Sequence, residues 1–133
     1  MNNYPQQARL IGPINSGVAA GGAGVATANA NSPLPIYGEL LGLYIQYLDT
    51  PPAATTDVIL KTVGTSPAPP TLTFLTRSNS ATDGWFRPMQ QGCDAAAAAI
   101  AGAYMPLLLA DYINIKIDQA NNGDGINVWL LVK

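Results

Sequence analysis

The chain has 133 residues, which suits one domain around one core. Only 11% of residues are charged and the formal net charge is −2, against roughly 25% charged in an average soluble protein. Six scattered Lys and Arg give no basic footprint for DNA or RNA, and a 48% hydrophobic composition argues against a disordered chain.

A surface this poor in charge points to cover by copies of itself or by a larger assembly, although Thr, Asn, Gln and Ser also keep a surface wet. There is no His, and Cys93 is the one cysteine, so no internal disulfide can form. No signal-peptide pattern opens the sequence, and no apolar stretch approaches the roughly 20 residues that span a bilayer. The expectation is a soluble protein made in a cytoplasm.

In chain order, "GVAAGGAGVATANANSPLP" (Gly17–Pro35) is nearly all small residues and has little apolar bulk to offset ordering. Residues 1–35 read as a separate segment: either a flexible tail or an extended arm lying on a neighbouring subunit. In the arm, Val18, Val25 and Thr27 would make sparse strand-like contacts. From residue 36 to 133 the texture is that of a β-sandwich. "IYGELLGLYIQYL" (Ile36–Leu48) carries apolar groups on both alternating faces, as a central strand does. A helix there would be weakened by Gly38 and Gly42.

After a Pro-rich turn, "DVILKTV" (Asp57–Val63) is a short strand with Val58 and Leu60 on one side. "GTSPAPP" (Gly64–Pro70) breaks it. "TLTFLT" (Thr71–Thr76) alternates Thr with Leu72 and Phe74 as a half-buried strand. "WFRPMQQ" (Trp85–Gln91) reads as an edge strand because it contains Pro88.

"DAAAAAIAGAY" (Asp94–Tyr104) has helix formers and an N-cap but is too short to stand alone. It predicts a helical turn or a surface loop. "YINIKID" (Tyr112–Asp118) and "INVWLLV" (Ile126–Val132) alternate cleanly, with Ile113, Ile115 and Ile117, then Ile126, Val128, Leu130 and Val132, on the inner face. Short strands between Pro- and Gly-rich turns, without crossover helices, predict an all-β antiparallel sandwich.

The segment between the last two strands tests a calcium reading. Starting the EF-hand template at Asp118 puts Ala120 at the third position and Trp129 where a bidentate Glu belongs. The reading fails. Asn122-Gly123 and Asp124-Gly125 are favoured turn pairs instead, with only a weak surface cation site at Asp118 and Asp124 left beside the turn reading.

Catalytic sets are equally thin. Without His there is no Ser-His or Cys-His relay and none of the usual zinc sets. Cys93 lacks a cationic activator, and most Asp residues mark turns. The expectation is no catalytic residue, no cofactor, no metal and no enzyme. Trp85, Phe86 and Arg87 form the most distinctive cluster. On an exposed edge beside Asp83 and Gln90 they suit a sugar or a protein partner; alternatively Trp85 plugs one end of the sandwich.

Three stretches carry a resemblance: "GELLGLYIQYLDTPPAATTDVIL" (Gly38–Leu60), "SATDGWFRPMQ" (Ser80–Gln90) and "IDQANNGDGINVWLL" (Ile117–Leu131). The chain resembles small decoration, or cement, proteins of tailed-bacteriophage heads. In these a TTDV strand precedes a TDGW(Y/F)-x-P segment and a closing QAN-x-GD hairpin. The resemblance implies a jelly-roll-like sandwich. It further implies a homo-oligomer, as a trimer, bound to the major capsid protein on the outer surface of the virion head and assembled in the host cytoplasm. It implies no nucleic acid and no membrane partner. The alternative is a tail- or fibre-associated receptor- or carbohydrate-binding module.

Overall fold

The computed structural model describes residues 7–49, 51–65 and 69–133. The described part is all β, with ten strands: β1 (Arg9–Asn15), β2 (Ala26–Asn31), β3 (Ile36–Tyr47), β4 (Asp57–Thr62), β5 (Thr73–Arg77), β6 (Gly84–Phe86), β7 (Met89–Cys93), β8 (Ala99–Asp111), β9 (Ile113–Ala120) and β10 (Ile126–Val132). One sheet has the order β1-β10-β3-β8-β7, with β6 also paired to β3; the other has the order β2-β9-β4-β5. Every pairing is antiparallel.

Setting β6 and β7 aside leaves two four-stranded sheets, and the chain crosses between them at every connection except β4–β5. The two antiparallel sheets are the sandwich that the alternation predicts, and their strand order is that of a jelly roll, which only the resemblance implied.

The core is the set of residues that alternation turns inward. Ile113, Ile115 and Ile117 are fully buried, as are Val58, Leu60, Val128, Leu130 and Val132. Each such side chain contributes roughly 1.5–3 kcal/mol by leaving water. Strand β3 departs from strict alternation. Leu40 and Leu43 both face the core, because a bulge against β10 falls where Leu131 pairs with Gly42 and Val132 with Leu40. Two buried serines close sheet corners. Ser16 Oγ accepts the Ile126 N–H at 3.0 Å, and Ser32 Oγ accepts that of Ile113 at 3.0 Å.

Three expectations need correction. Residues 9–31 are not an arm: β1 pairs with β10 and β2 with β9, so this segment supplies an edge strand to each sheet. Small residues suffice in β2 because Ala26 and Ala28 point inward, while Asn29 and Asn31 accept hydrogen bonds from the Asn114 side-chain amide on the outer face. Residues 1–6 of the expected arm, and part of the Gly64–Pro70 break, lie outside the described residues.

Second, of the helical turn or surface loop expected for Asp94–Tyr104, an exposed loop forms as far as Ala98, no helical turn forms, and the rest is strand. Asp94 Oδ1 accepts the N–H groups of Ala96 and Ala98 and so closes a hairpin between β7 and β8, which begins at Ala99. Third, Leu72 precedes β5 and is 44% exposed; Phe74 packs against the core as expected, and Leu75 joins it in place of Leu72.

Candidate functional surfaces

Strand β3 shares one edge between two partners. Its residues 36–40 pair with the end of β8, whereas Leu43, Tyr44 and Ile45 pair with β6. At the changeover, Arg87 Nε donates to the Leu41 carbonyl at 3.0 Å. This arrangement has two consequences, an aromatic row and a projecting hairpin.

The row follows from register. Trp85 lies opposite Tyr44, and Tyr44 opposite Trp129, on three adjacent strands. The side chains share the outer face, with ring centroids 5.3 Å apart for Tyr44–Trp85 and 6.0 Å for Tyr44–Trp129. With Leu10 and Gln46 they line an open cleft of about 230 Å³. Gly12 keeps β1 close to it, since a Cβ there would stand 3.1 Å from the Trp129 ring. Trp85 is 61% exposed, so it does not plug the sandwich.

Among the described residues no charged group lines the cleft; its lining side chains carry as polar groups the Gln46 amide, the Tyr44 hydroxyl and the two indole N–H groups. Such a surface can stack on the apolar face of a sugar ring or on a partner's apolar side chain.

The other two members of the sequence cluster do not join it. Phe86 turns toward the core, with the Arg77 guanidinium 4.2 Å from its ring centroid. Arg87 serves the backbone of β3. Asp83 accepts the Tyr47 N–H at 2.8 Å, and Gln90 lies in β7, so neither lines the cleft. Tyr44 and Trp129 complete the site and were not singled out from sequence. The inward parity of Val128 and Leu130 already placed Trp129 outward, but its neighbours depend on strand order. Val18 and Val25 lie exposed in the β1–β2 loop, and Thr27 Oγ1 donates to the Ile117 carbonyl within the fold.

The β9–β10 turn is tied into its end of the sandwich. Gly123 has φ of 93°, as a tight connection needs. Asp124 is buried, and its Oδ2 accepts the Asn121 N–H at 2.9 Å. Asp49 stands beside it and accepts the Gly125 N–H at 3.0 Å. Burial, and then the hydrogen bond to Asp124, hold the Asp49 carboxyl above the usual carboxylate range; the Gly125 N–H pulls the other way. Asp118 pairs instead with Lys116 at 3.6 Å. Among the described residues no group of three or more His, Cys, Asp or Glu is arranged to hold a metal ion.

The second consequence is the hairpin. Because β6 occupies β3 beyond Leu43, residues 99–106 of β8 leave the sheet and pair only with β7. Almost every residue from Met89 to Met105 is exposed.

No family model, curated protein or solved structure matches the chain.

Proposed function

We propose that the protein is a virion structural protein, a decoration or cement subunit that stabilises a phage head by bridging neighbouring capsid subunits. The observation that carries this reading is the exposed apolar surface on a charge-poor jelly roll. Leu10, Val18, Val25, Leu34, Tyr37, Trp85, Met105 and Leu108 are each 59–75% exposed. Apolar patches beyond a few hundred Å² mark interaction sites, and the jelly roll is an architecture that shells of protein use. The work is mechanical, with no catalytic step, and the partners are the major capsid protein and further copies of this chain.

The loops at the Val18–Val25 end and the β7–β8 hairpin take over the contacts that an N-terminal arm would have made. The test is the copy number of this chain in purified virions, by quantitative mass spectrometry against the major capsid protein. A number equal to that of the capsid protein, or a simple fraction of it, is expected. A handful of copies per particle, or none, overturns the cement role.

A second reading is favoured by the aromatic row, namely a tail- or fibre-associated carbohydrate-binding module. It predicts that a glycan array gives hits that vanish in Trp85→Ala, with copies confined to the tail.

A further inference from the structure

We propose that β7 pairs edge to edge with β7 of a second copy of this chain, antiparallel about a two-fold axis at Gln91. The pairing does not depend on the capsid reading. It begins from the backbone. Pro106 has no N–H, so the Met89–Pro106 pair in the ladder cannot be a hydrogen-bonded one. Alternation then makes Gln90 the residue bonded to β8 and turns the N–H and C=O of Met89 and Gln91 outward. Beyond the bulge in β8, the Asp94 N–H donates to the Ala98 carbonyl at 2.9 Å, which leaves Cys93 facing outward as well. Three alternate residues, Met89, Gln91 and Cys93, thus face outward and form a ready template for another strand.

The chemistry of this edge selects a second copy as its occupant. Close to a two-fold axis like meets like, so any charge there would oppose itself. Strand β7 has none; its sequence is Met-Gln-Gln-Gly-Cys. Of the outer strands of the two sheets, β1 carries Arg9 and Pro13 and β5 carries Arg77, the usual guards; β2 is uncharged too, but its Asn29 and Asn31 side chains are already engaged by Asn114. The Gln91 side chain donates to the Ile100 carbonyl at 3.2 Å and holds β7 against β8.

A two-stranded ribbon with both faces in water is marginal by itself. Here Met89, Ile100, Tyr104, Met105 and Leu108 are 45–71% exposed. Edge pairing makes the two ribbons one four-stranded sheet, in which Met89 of one copy lies beside Cys93 of the other as a cross-strand pair. Beside them runs a groove of about 400 Å³ that Met105 and Leu108 help to line, with Glu39 of β3 as its one charged residue.

The axis at Gln91 sets Met89 of one copy opposite Cys93 of the other. In a hydrogen-bonded antiparallel pair the Cα atoms are about 5.5 Å apart, within disulfide reach. Within one chain the same residues are four apart on a strand, about 13 Å, which no disulfide spans. The first test is therefore Met89→Cys in the full chain under mild oxidation. A covalent dimer is expected from the variant and not from the natural chain, whose two Cys93 residues lie about 13 Å apart across the axis. The second test, set against Gln91→Ala as a control that loses only the side-chain bond to the Ile100 carbonyl, is Gln91→Pro, which loses that bond and an outward N–H but no backbone bond of the intrachain ladder. Its circular dichroism should be unchanged, and its sedimentation mass should be half that of the natural chain. Absence of the cross-link, or a sedimentation mass that Gln91→Pro leaves unaltered in a folded protein, overturns the pairing. Either result leaves the capsid reading to its own test.

Discussion

Gly38 sits within β3 at φ of 130°, and a Cβ there would stand 2.6 Å from the Lys133 carbonyl oxygen. The backbone of Glu39 exchanges hydrogen bonds with Lys133 at this crossing, so neither chain can give way. Gly38→Ala combines a strained φ with a backbone clash and should cost about 3 kcal/mol in a denaturant titration. Tyr47 presents the opposite case. Its hydroxyl is buried and has no hydrogen-bond partner among the described residues. Tyr47→Phe keeps the ring and removes the unsatisfied group, so it should stabilise the fold by about 1 kcal/mol, read in the same titration.

Asp49 adds a pH dependence. Its carboxyl is held above its ordinary value, so a proton on it favours the folded state. That contribution is complete below the unfolded value and is lost as pH rises through the raised folded one. Above the raised value Asp49 carries a charge that burial first, and then its place beside the Asp124 carboxyl, disfavour. Asp49→Asn removes that charge, and its melting temperature should exceed that of the natural chain at pH 7. The difference should shrink as pH falls below the raised value, and a gap constant from pH 7 to pH 3 would contradict this account.

At the scale of elements, the junction of β3, β6 and β8 hangs on one side chain. Arg87 satisfies the Leu41 carbonyl where neither neighbouring strand does. Arg87→Ala should leave the sandwich intact and quicken amide exchange in β6 by roughly a factor of ten, the effect of losing one charge-assisted bond. The Trp-Phe-Arg cluster stood out in the sequence, but its three members do three jobs that only strand order separates. Strands β4, β9 and β10 were legible because Ile, Val and Leu mark every second position. In β2 the same period is written in Ala against Asn, a contrast too weak in hydropathy to read. The start of β8 was hidden by helix-forming alanines, whose local preference yields to pairing with β7. The aromatic row was half legible: parity turns Trp129 outward, but only register sets Trp85, Tyr44 and Trp129 side by side.

At the scale of the molecule, the small-residue N-terminal third is where composition and fold part company. Its Gly, Ala and Asn content suggested a segment that could be removed without harm. The pairing of β1 with β10 and β2 with β9 makes that segment a boundary of both sheets. Deleting residues 1–35 would strip the neighbour from Val128 and Leu130 in one sheet and from Ile115 and Ile117 in the other, all fully buried. It would also remove Ser16 and Ser32, leaving the N–H groups of Ile126 and Ile113 without the hydroxyls that they donate to. Lost cover on both layers and orphaned donors exceed the 5–15 kcal/mol by which domains of this size are stable. The truncated chain should therefore be unfolded or aggregated, with no cooperative thermal transition by circular dichroism. Excising only the hairpin tip, residues 95–98, removes exposed alanines beyond both sheets and should leave a cooperative transition in place. A folded 36–133 fragment would mean that β1 and β2 are dispensable edges and would restore the arm.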